Sequence, residues 1–429
     1  MKAVLAPVGT RGDVQPMLAL GVALVKAGHE VSLCVAENYR SSVEALGLTY
    51  VRGGEDAQHL MTRRELKMRG PLKHTKFAKF LEVGRIMVKE QFAALEEAAL
   101  GADLIVGTLL LTAGPSVAEH LGIPCLQACY FPGSMPTAEL PSPLVPVLGG
   151  PPWFNRATWE LYRLFGNLGQ RGLVNEYRIS RKLAPIKDLD AHSFANLTML
   201  MAFDTGFAPL PGDLPAVHST GYWFVESEEP LPTDVEEFIA AGEKPVYLGF
   251  GSMPSKDPAQ RTAIMMEAVR RAGCRALISA GWAGIGEGVR DPRCKVIGAV
   301  NHAALFPRVA AVVHHGGAGT TAQALRAGVP QIIVPHMFDQ HYWAARVRAS
   351  RLGPAPLKRY FTADALTSAL RETIGNSAMA RKASSMAEPI RASRGAQRAV
   401  EVLEELVSAR VKARSRRVDR SDSQATGAE

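Results

Sequence analysis

The chain opens on a short apolar run, Met1-Lys2-Ala3-Val4-Leu5-Ala6-Pro7-Val8, that stops at Gly9-Thr10-Arg11-Gly12-Asp13. An unbroken apolar run of that length predicts a strand buried on both faces, over residues 2–8. Apolar positions then recur at helical spacing over residues 16–27, and Gly28 closes that helix. A second strand follows over 30–35. The pattern returns in "ADLIVGTLL" from Ala102 and "IPCLQACY" from Ile123, with a helical stretch between them. Alternation of this kind implies a parallel sheet with helices on both faces. Between Pro132 and Pro152 seven prolines break any periodicity, so long loops over a cleft are expected. A second loop-rich stretch begins at Phe207 and reads as an interdomain linker. Strand signals then restart at 245–250, 274–279, 295–300, 310–314 and 331–334, and helical patterns continue through Leu406. The resulting α/β architecture is two doubly wound, Rossmann-like parallel-sheet domains facing across a cleft. The units are 1–206, a linker 207–232, a second domain 233–390, and a helix 391–410 placed to return to the first domain. The basic tail 411–429 lacks apolar periodicity and is expected to be disordered.

Composition narrows the class. At 429 residues, with 47% hydrophobic and 21% charged positions, the chain fits two ordinary globular domains. Five scattered cysteines form no CxxC pair and no zinc spacing, so they read as reduced, and no metal site is expected. The first apolar run lacks the features of a signal peptide. No apolar stretch approaches the roughly 20 residues of a membrane span. A cytoplasmic protein is expected.

The net charge of +8 gathers in the tail and in 63–89, where nine Lys or Arg face two acids. From Lys73 to Lys89 the residues Phe77, Phe80, Leu81, Gly84, Met87 and Val88 share one helical arc opposite Lys79, Glu82, Arg85 and Lys89. Such a helix packs on its own domain. A second reading is weak contact between Arg63–Lys89 and the inner membrane face. No recognisable nucleic-acid motif accompanies the charge, and no specific nucleic acid is expected.

The strongest chemical signal is "VVHHGGAGTTAQALRAG" from Val312 to Gly328. A strand runs into Gly316, Gly317 and Gly319, and a helix follows. Glycines let the backbone approach an anion, and the free amides and dipole of a helix start favour negative charge. Thr320 offers a hydroxyl, and His315 a donor or a positive charge. Ser252, in the turn of "YLGFGSMP", can reach the same phosphates or cap the next helix. Asp339 and Gln340, just past another strand end, form an acceptor–donor pair suited to neighbouring hydroxyls, although a helix N-cap explains Asp339 equally well. A diphosphate beside a hydroxyl-rich group describes a nucleotide sugar.

These stretches, "GTRGDVQP", "HHGGAGTTAQALRAGVPQIIVPHMFDQ" and "LISAGWAGIG", resemble the inverting GT-B glycosyltransferases, in particular the bacterial antibiotic and sterol types. The resemblance implies that His315, Gly317, Gly319, Thr320 and Ser252 meet the donor pyrophosphate and that Asp339 and Gln340 hold the sugar. It places Val300 against the nucleobase. Many relatives carry a general-base His where this chain has Asp13, whereas the antibiotic and sterol branches carry Asp. Gln323 stands where strict UDP users commonly have a ribose-binding Glu, so UDP and dTDP both remain open.

Transfer of a sugar to an alcohol needs a base for the alcohol proton, and Asp13 emerges from the first domain's strand end across the cleft from the phosphates. His29 sits at a helix C-terminus instead, and Asp188-Leu189-Asp190 lacks the preceding strand of a metal-binding DxD. The expected reaction moves a hexose from a UDP- or dTDP-sugar, as co-substrate and without a cofactor, to a hydroxyl of a lipophilic natural product. Met135, Trp153 and Phe154 are candidates for the acceptor pocket. Alternatives are a sterol or lipid glucosyltransferase at a membrane surface, a nucleotide-sugar epimerase, and a non-catalytic nucleotide-sugar binder.

Overall fold

The computed structural model describes residues 1–55, 76–146, 149–194, 198–251, 257–281, 285–286 and 288–425. Two parallel sheets form. The first contains β1 (Lys2–Ala6), β2 (Glu30–Val35), β3 (Thr49–Arg52), β4 (Leu104–Thr108), β5 (Cys125–Cys129), β6 (Thr198–Met201) and β7 (His218–Ser219) in the order β3-β2-β1-β4-β5-β6-β7. The second contains β8 (Val246–Gly249), β9 (Ala276–Ser279), β10 (Cys294–Ile297), β11 (Ala311–His314) and β12 (Gln331–Ile333) in the order β10-β9-β8-β11-β12. Strands such as β4 and β11 are buried at every residue, because helices cover both faces of a parallel sheet.

The strand order dictates where ligands go. In each sheet the order reverses beside its first strand, which is flanked by strands reached in opposite directions: β2 and β4 beside β1, β9 and β11 beside β8. Chain leaving the carboxyl ends there diverges to opposite faces and opens a crevice. The turn after β1 carries Gly9 to Asp13, and the turns after β8 and β11 carry Gly251 and His315 to Gly319.

The two units share a buried core. Met135, Met201, Phe203 and Phe207 from one side pack with Leu325, Ile333, Trp343 and Val347 from the other. The Phe207 and Trp343 rings stack 5.9 Å apart and nearly parallel. Arg346 donates from Nε and Nη2 to the Phe207 carbonyl at 2.9 and 2.6 Å. Residues 207–232 are therefore less a slack tether than the linker expected from sequence: Phe207 and Ala208 are core, and β7 completes the first sheet.

Three other expectations shift. The first helix runs Arg11–Lys26, starting five residues early, because Thr10 and Asp13 form a capping box that holds the first turn despite Pro16. The described part of the proline-rich stretch has one 3-10 turn, Pro132–Ser134, yet it is packed down rather than open. Asn155 donates to the Ala138 carbonyl, Trp159 Nε1 to the Leu140 carbonyl and the Ala138 amide to Asp213. The tail expected to be disordered continues the last helix, Gly395–Ala425, as far as Ala425. That helix packs Ala399, Val400 and Leu403 against Leu5, Met17 and Leu20 of the first unit, and Glu404 meets His29 at 2.8 Å.

In the basic helix Lys76–Ala98, Val83, Val88, Phe92 and Leu95 are buried, and Phe92 stacks on Tyr177 at 4.2 Å. Of the described arc residues, Val88 packs into the core of its own domain. Phe77, Phe80 and Leu81 lie outside the described side chains, and all of 63–75 lies outside the described residues. No helix among the described residues is long and apolar enough to cross a membrane.

Phe207→Ala would remove a fully buried ring from the core joining the two units. A loss of about 3–5 kcal/mol is expected, read as a lower urea midpoint for the whole chain. An unchanged midpoint would place the joint elsewhere.

Candidate active site

Asp13 is the third residue of the Arg11–Lys26 helix, not its N-cap. Its Oδ2 accepts from the Thr10 amide at 2.7 Å and from Thr10 Oγ1 at 3.4 Å, while Thr10 Oγ1 accepts from the Gly12 amide. Oδ1 makes no hydrogen bond to another described residue. Gly9 permits this arrangement: its φ is +137°, and a Cβ there would lie 2.2 Å from Asp13 Oδ2. Tyr130 Oη donates to the Asp13 carbonyl at 3.0 Å and pins the turn to the end of β5. The carboxyl is enclosed but still partly accessible. Burial raises its pKa to about 6, against the opposing hydrogen bonds from Thr10.

Opposite stands the glycine turn after β11. Gly316, at φ +87°, turns the chain against Ile333 and Gln340, and Gly317 caps Ala318–Ala327 without a side-chain bond. The first-turn amides are thus left without a side-chain cap. Gly319 is exposed, and a Cβ there would meet nothing within 4 Å, so its α-carbon fronts open space. Thr320 is partly exposed. Thr321 beneath it is buried, and its hydroxyl is unpartnered.

The two histidines separate in role. His314 is buried: its Nδ1 accepts from the Gly316 amide at 3.0 Å, and its Nε2 lies 2.9 Å from Gln331 Oε1. It is a structural brace. The His315 ring lies between Gly251 and Gly317, where a Cβ would sit 2.6 Å from Nε2, and its Nδ1 is buried without a hydrogen-bond partner among the described residues. Burial lowers its pKa to about 4, so it offers a neutral ring and not the positive charge that sequence also allowed.

Asp339 precedes the helix Gln340–Ala349 but does not bond its amides, so the N-cap reading does not hold. Oδ2 instead accepts from Trp343 Nε1 at 3.0 Å. Burial raises its pKa to about 7, and the charge of Asp13 across the cleft adds to this. The two carboxylates are therefore close enough to feel one another. Gln340 is buried, and its Oε1 accepts from the His336 and Met337 amides at 2.8 and 3.2 Å. Its side-chain carbonyl is spent on the turn. Phe338, just before Asp339, is half-exposed in the left-handed region at φ +51°, a strained placement for an aromatic residue.

Val300 is partly buried beside Ile297, Leu305 and Phe306, next to Asn301, which caps the His302–Leu305 helix. Ser252 lies outside the described residues, as do Trp282 to Gly284, but the chain enters the Ser252 turn at Gly251, against His315. The acceptor candidates do not converge. Met135 is core, while Trp153 is 69% exposed on the outer face of Pro152–Gly169, whose buried face is Asn155, Thr158 and Trp159. Phe154 packs edge-on against Trp153 and not toward Met135's cluster. Asp188 accepts from Arg163 and Asn167 at 2.7 and 2.9 Å. Sequence reasoning missed Gly9, Tyr130 and Trp343, the groups that aim the two carboxylates. Only Gly9, within the motif, left a local sign.

Two family models match the chain. Residues 3–138 match the glycosyltransferase family 28 N-terminal domain, and residues 283–406 match the erythromycin biosynthesis protein CIII-like C-terminal domain. The vancomycin aglycone glucosyltransferase of Amycolatopsis orientalis is 36% identical over 86% of this chain and 89% of its own length. A sterol 3-beta-glucosyltransferase of Arabidopsis thaliana is 33% identical over 83% of this chain and 58% of its own length. The crystal structure of the kitacinnamycin glycosyltransferase superposes with a TM-score of 0.71 at 19% identity, covering 95% of this chain and 99% of that one. That of VinC in complex with dTDP gives 0.67 at 21% identity, covering 95% and 100%. Two doubly wound sheets, a carboxylate on one wall, an anion cradle on the other and these relatives lead to one assignment: the chain belongs to the GT-B glycosyltransferases of the antibiotic-biosynthesis and sterol type.

Proposed function

We propose that this enzyme transfers a hexose from a UDP- or dTDP-sugar to a hydroxyl of a lipophilic natural product, with inversion at the anomeric carbon and Asp13 as general base. The observation that carries the reading is the position of Asp13: one carboxylate oxygen is tied to Thr10, the other is free, and Asp339 and the glycine cradle stand opposite. The acceptor oxygen attacks the anomeric carbon as its proton passes to Asp13, and the bond to the phosphate oxygen breaks on the other side. Base and leaving group on opposite walls suit a single displacement, hence inversion.

The diphosphate lies on the amides of Gly317 to Gly319, with the Thr320 and Ser252 hydroxyls and the His315 ring as neutral donors. Asp339 and Gln340 take sugar hydroxyls. Val300 borders the base. No cofactor or metal takes part in this scheme. Antibiotic relatives, among them the dTDP-epi-vancosaminyltransferase of Amycolatopsis orientalis, favour natural-product acceptors. The sterol glucosyltransferases favour a second reading, transfer to a sterol or lipid.

A panel of UDP- and dTDP-sugars tested against hydrophobic alcohols, with conjugates detected by mass spectrometry, decides among these. Donor consumed without an acceptor would mean an epimerase, and binding without turnover a sensor. Asp13→Asn keeps the cap to Thr10 but cannot take a proton. Its kcat should fall by about 10²–10⁴-fold with donor affinity retained.

Because Asp13 works ionised, kcat/KM should fall as pH drops through about 6, and at pH 5 should be about tenfold below its value at pH 8. A flat profile over that range would remove Asp13 from the role. Asp339, raised from 3.8 to about 7 on folding, stabilises the native state fully only below about pH 4, and that contribution is gone above about pH 7. Asp339→Asn is therefore expected to raise the thermal midpoint at pH 8 and leave it nearly unchanged at pH 4, while impairing use of the donor sugar.

A further inference from the structure

One aromatic cluster reaches both facing acids. Tyr130 Oη donates to the Asp13 carbonyl at 3.0 Å, and Trp343 Nε1 donates to Asp339 Oδ2 at 3.0 Å. Rings fill the space between these two donors. Phe131, next to Tyr130, lies 6.3 Å from Tyr342, and Tyr342 meets Trp343 edge-on at 5.2 Å. Phe207, on the first unit's side of the joint, stacks on Trp343 at 5.9 Å. Tyr130 and Phe131 follow β5 of the first unit, whereas Tyr342 and Trp343 belong to the helix Gln340–Ala349 of the second. Phe207 and Trp343 are fully buried. The cluster therefore spans the joint and ends on an acid in each unit.

A buried indole N–H needs an acceptor, and a main-chain carbonyl would serve. Here it takes a carboxylate that a helix start would otherwise claim. Asp339 stands where an N-cap acid bonds the first amides of its own helix, and it makes no such bond. The backbone of the turn is held without Trp343. Gln340 Oε1 accepts from the His336 and Met337 amides, and a Cβ on Gly316 would lie 3.2 Å from the Gln340 carbonyl oxygen. Two tasks are thus divided. Gln340 and Gly316 brace the turn against the glycine cradle, and Trp343 fixes the aim of one carboxylate. Phe207 in turn fixes the plane of Trp343.

We propose that Trp343 is a positioning residue for the donor's sugar, and that through it the joint between the units, Phe207 above all, sets how tightly the enzyme holds that sugar. The proposal rests on the nucleotide-sugar reading above. Neither ring touches the donor. Phe207 holds the indole, the indole N–H holds Asp339, and Asp339 takes the sugar hydroxyl. The diphosphate, on the amides of Gly317 to Gly319, lies outside this chain of contacts. Recognition of the sugar is then conditional on a joint that both units form, whereas recognition of the diphosphate needs the second unit alone.

Trp343→Phe keeps a ring against Phe207 and loses the N–H. Phe207→Leu keeps an apolar side chain and loses the stack. Calorimetric binding of the nucleotide sugar that the donor panel selects, and of its nucleoside diphosphate (UDP or dTDP), to the wild type, both single variants and the double variant tests this. Trp343→Phe should bind the diphosphate as the wild type does and the nucleotide sugar about tenfold more weakly. Phe207→Leu, which removes no atom of the site, should lose about threefold to tenfold in nucleotide-sugar affinity alone. The double variant should bind no more weakly than Trp343→Phe, because the stack acts only through the N–H. A merely structural role would weaken both ligands together and make the two losses add. That pattern, or undiminished nucleotide-sugar binding in Trp343→Phe, overturns the proposal and leaves the nucleotide-sugar reading standing. If Trp343→Phe does not fold, Phe207→Leu decides by the same split between the two ligands. A panel that yields no donor overturns the nucleotide-sugar reading and this proposal with it.

Discussion

Everything at the cleft depends on the apolar joint between the two units. Phe207 against Trp343, with Arg346 gripping the Phe207 carbonyl 139 residues away, is where distant segments lock two crevices into opposition. Trp343 also serves the site: its indole nitrogen holds the Asp339 carboxylate. The ring that joins the units is therefore the ring that aims one of the two facing acids. A side chain with an apolar body and one polar tip can do both at once.

Electrostatically the cleft is built against its own ionisation. Two carboxylates are buried within reach of each other, and both are pushed upward. Four histidines are pushed downward. Desolvation is the leading cause in every case. A closed, poorly solvated crevice strengthens interactions with charge that develops during reaction. It does so at a cost, because burial penalises the charged form of each of these groups. The left-handed Phe338 beside Asp339 is a second local cost in the same turn.

The relatives fix the kind of chemistry and leave the substrates to the walls of the cleft. Antibiotic and sterol glucosyltransferases both align along most of this chain, although their names cover very different acceptors. The acceptor wall is where sequence reasoning did worst. Trp153 looked like a pocket residue because it is aromatic and follows a proline-rich loop, but helical phase puts it outward while Asn155, Thr158 and Trp159 face in. Met135 looked the same from sequence and became part of the joint.

Much of the rest was legible along the chain. Runs of apolar residues bounded by glycine gave the strands, since a strand buried on both faces has no alternative composition. The glycine-rich turn before Ala318 and the motif around Asp13 gave both ends of the site, because a tight turn and an uncapped helix start demand particular residues at particular spacings. What sequence left open was decided by contacts between distant segments. Whether His315 carries charge depends on burial. Whether Asp339 caps a helix or faces a cleft depends on Trp343. Whether 411–425 is helical depends on continuity with a helix anchored on Leu5 and Met17. Local pattern specifies which groups are present and which turn they occupy. Their protonation, their aim and their partners are set by what the folded chain packs around them.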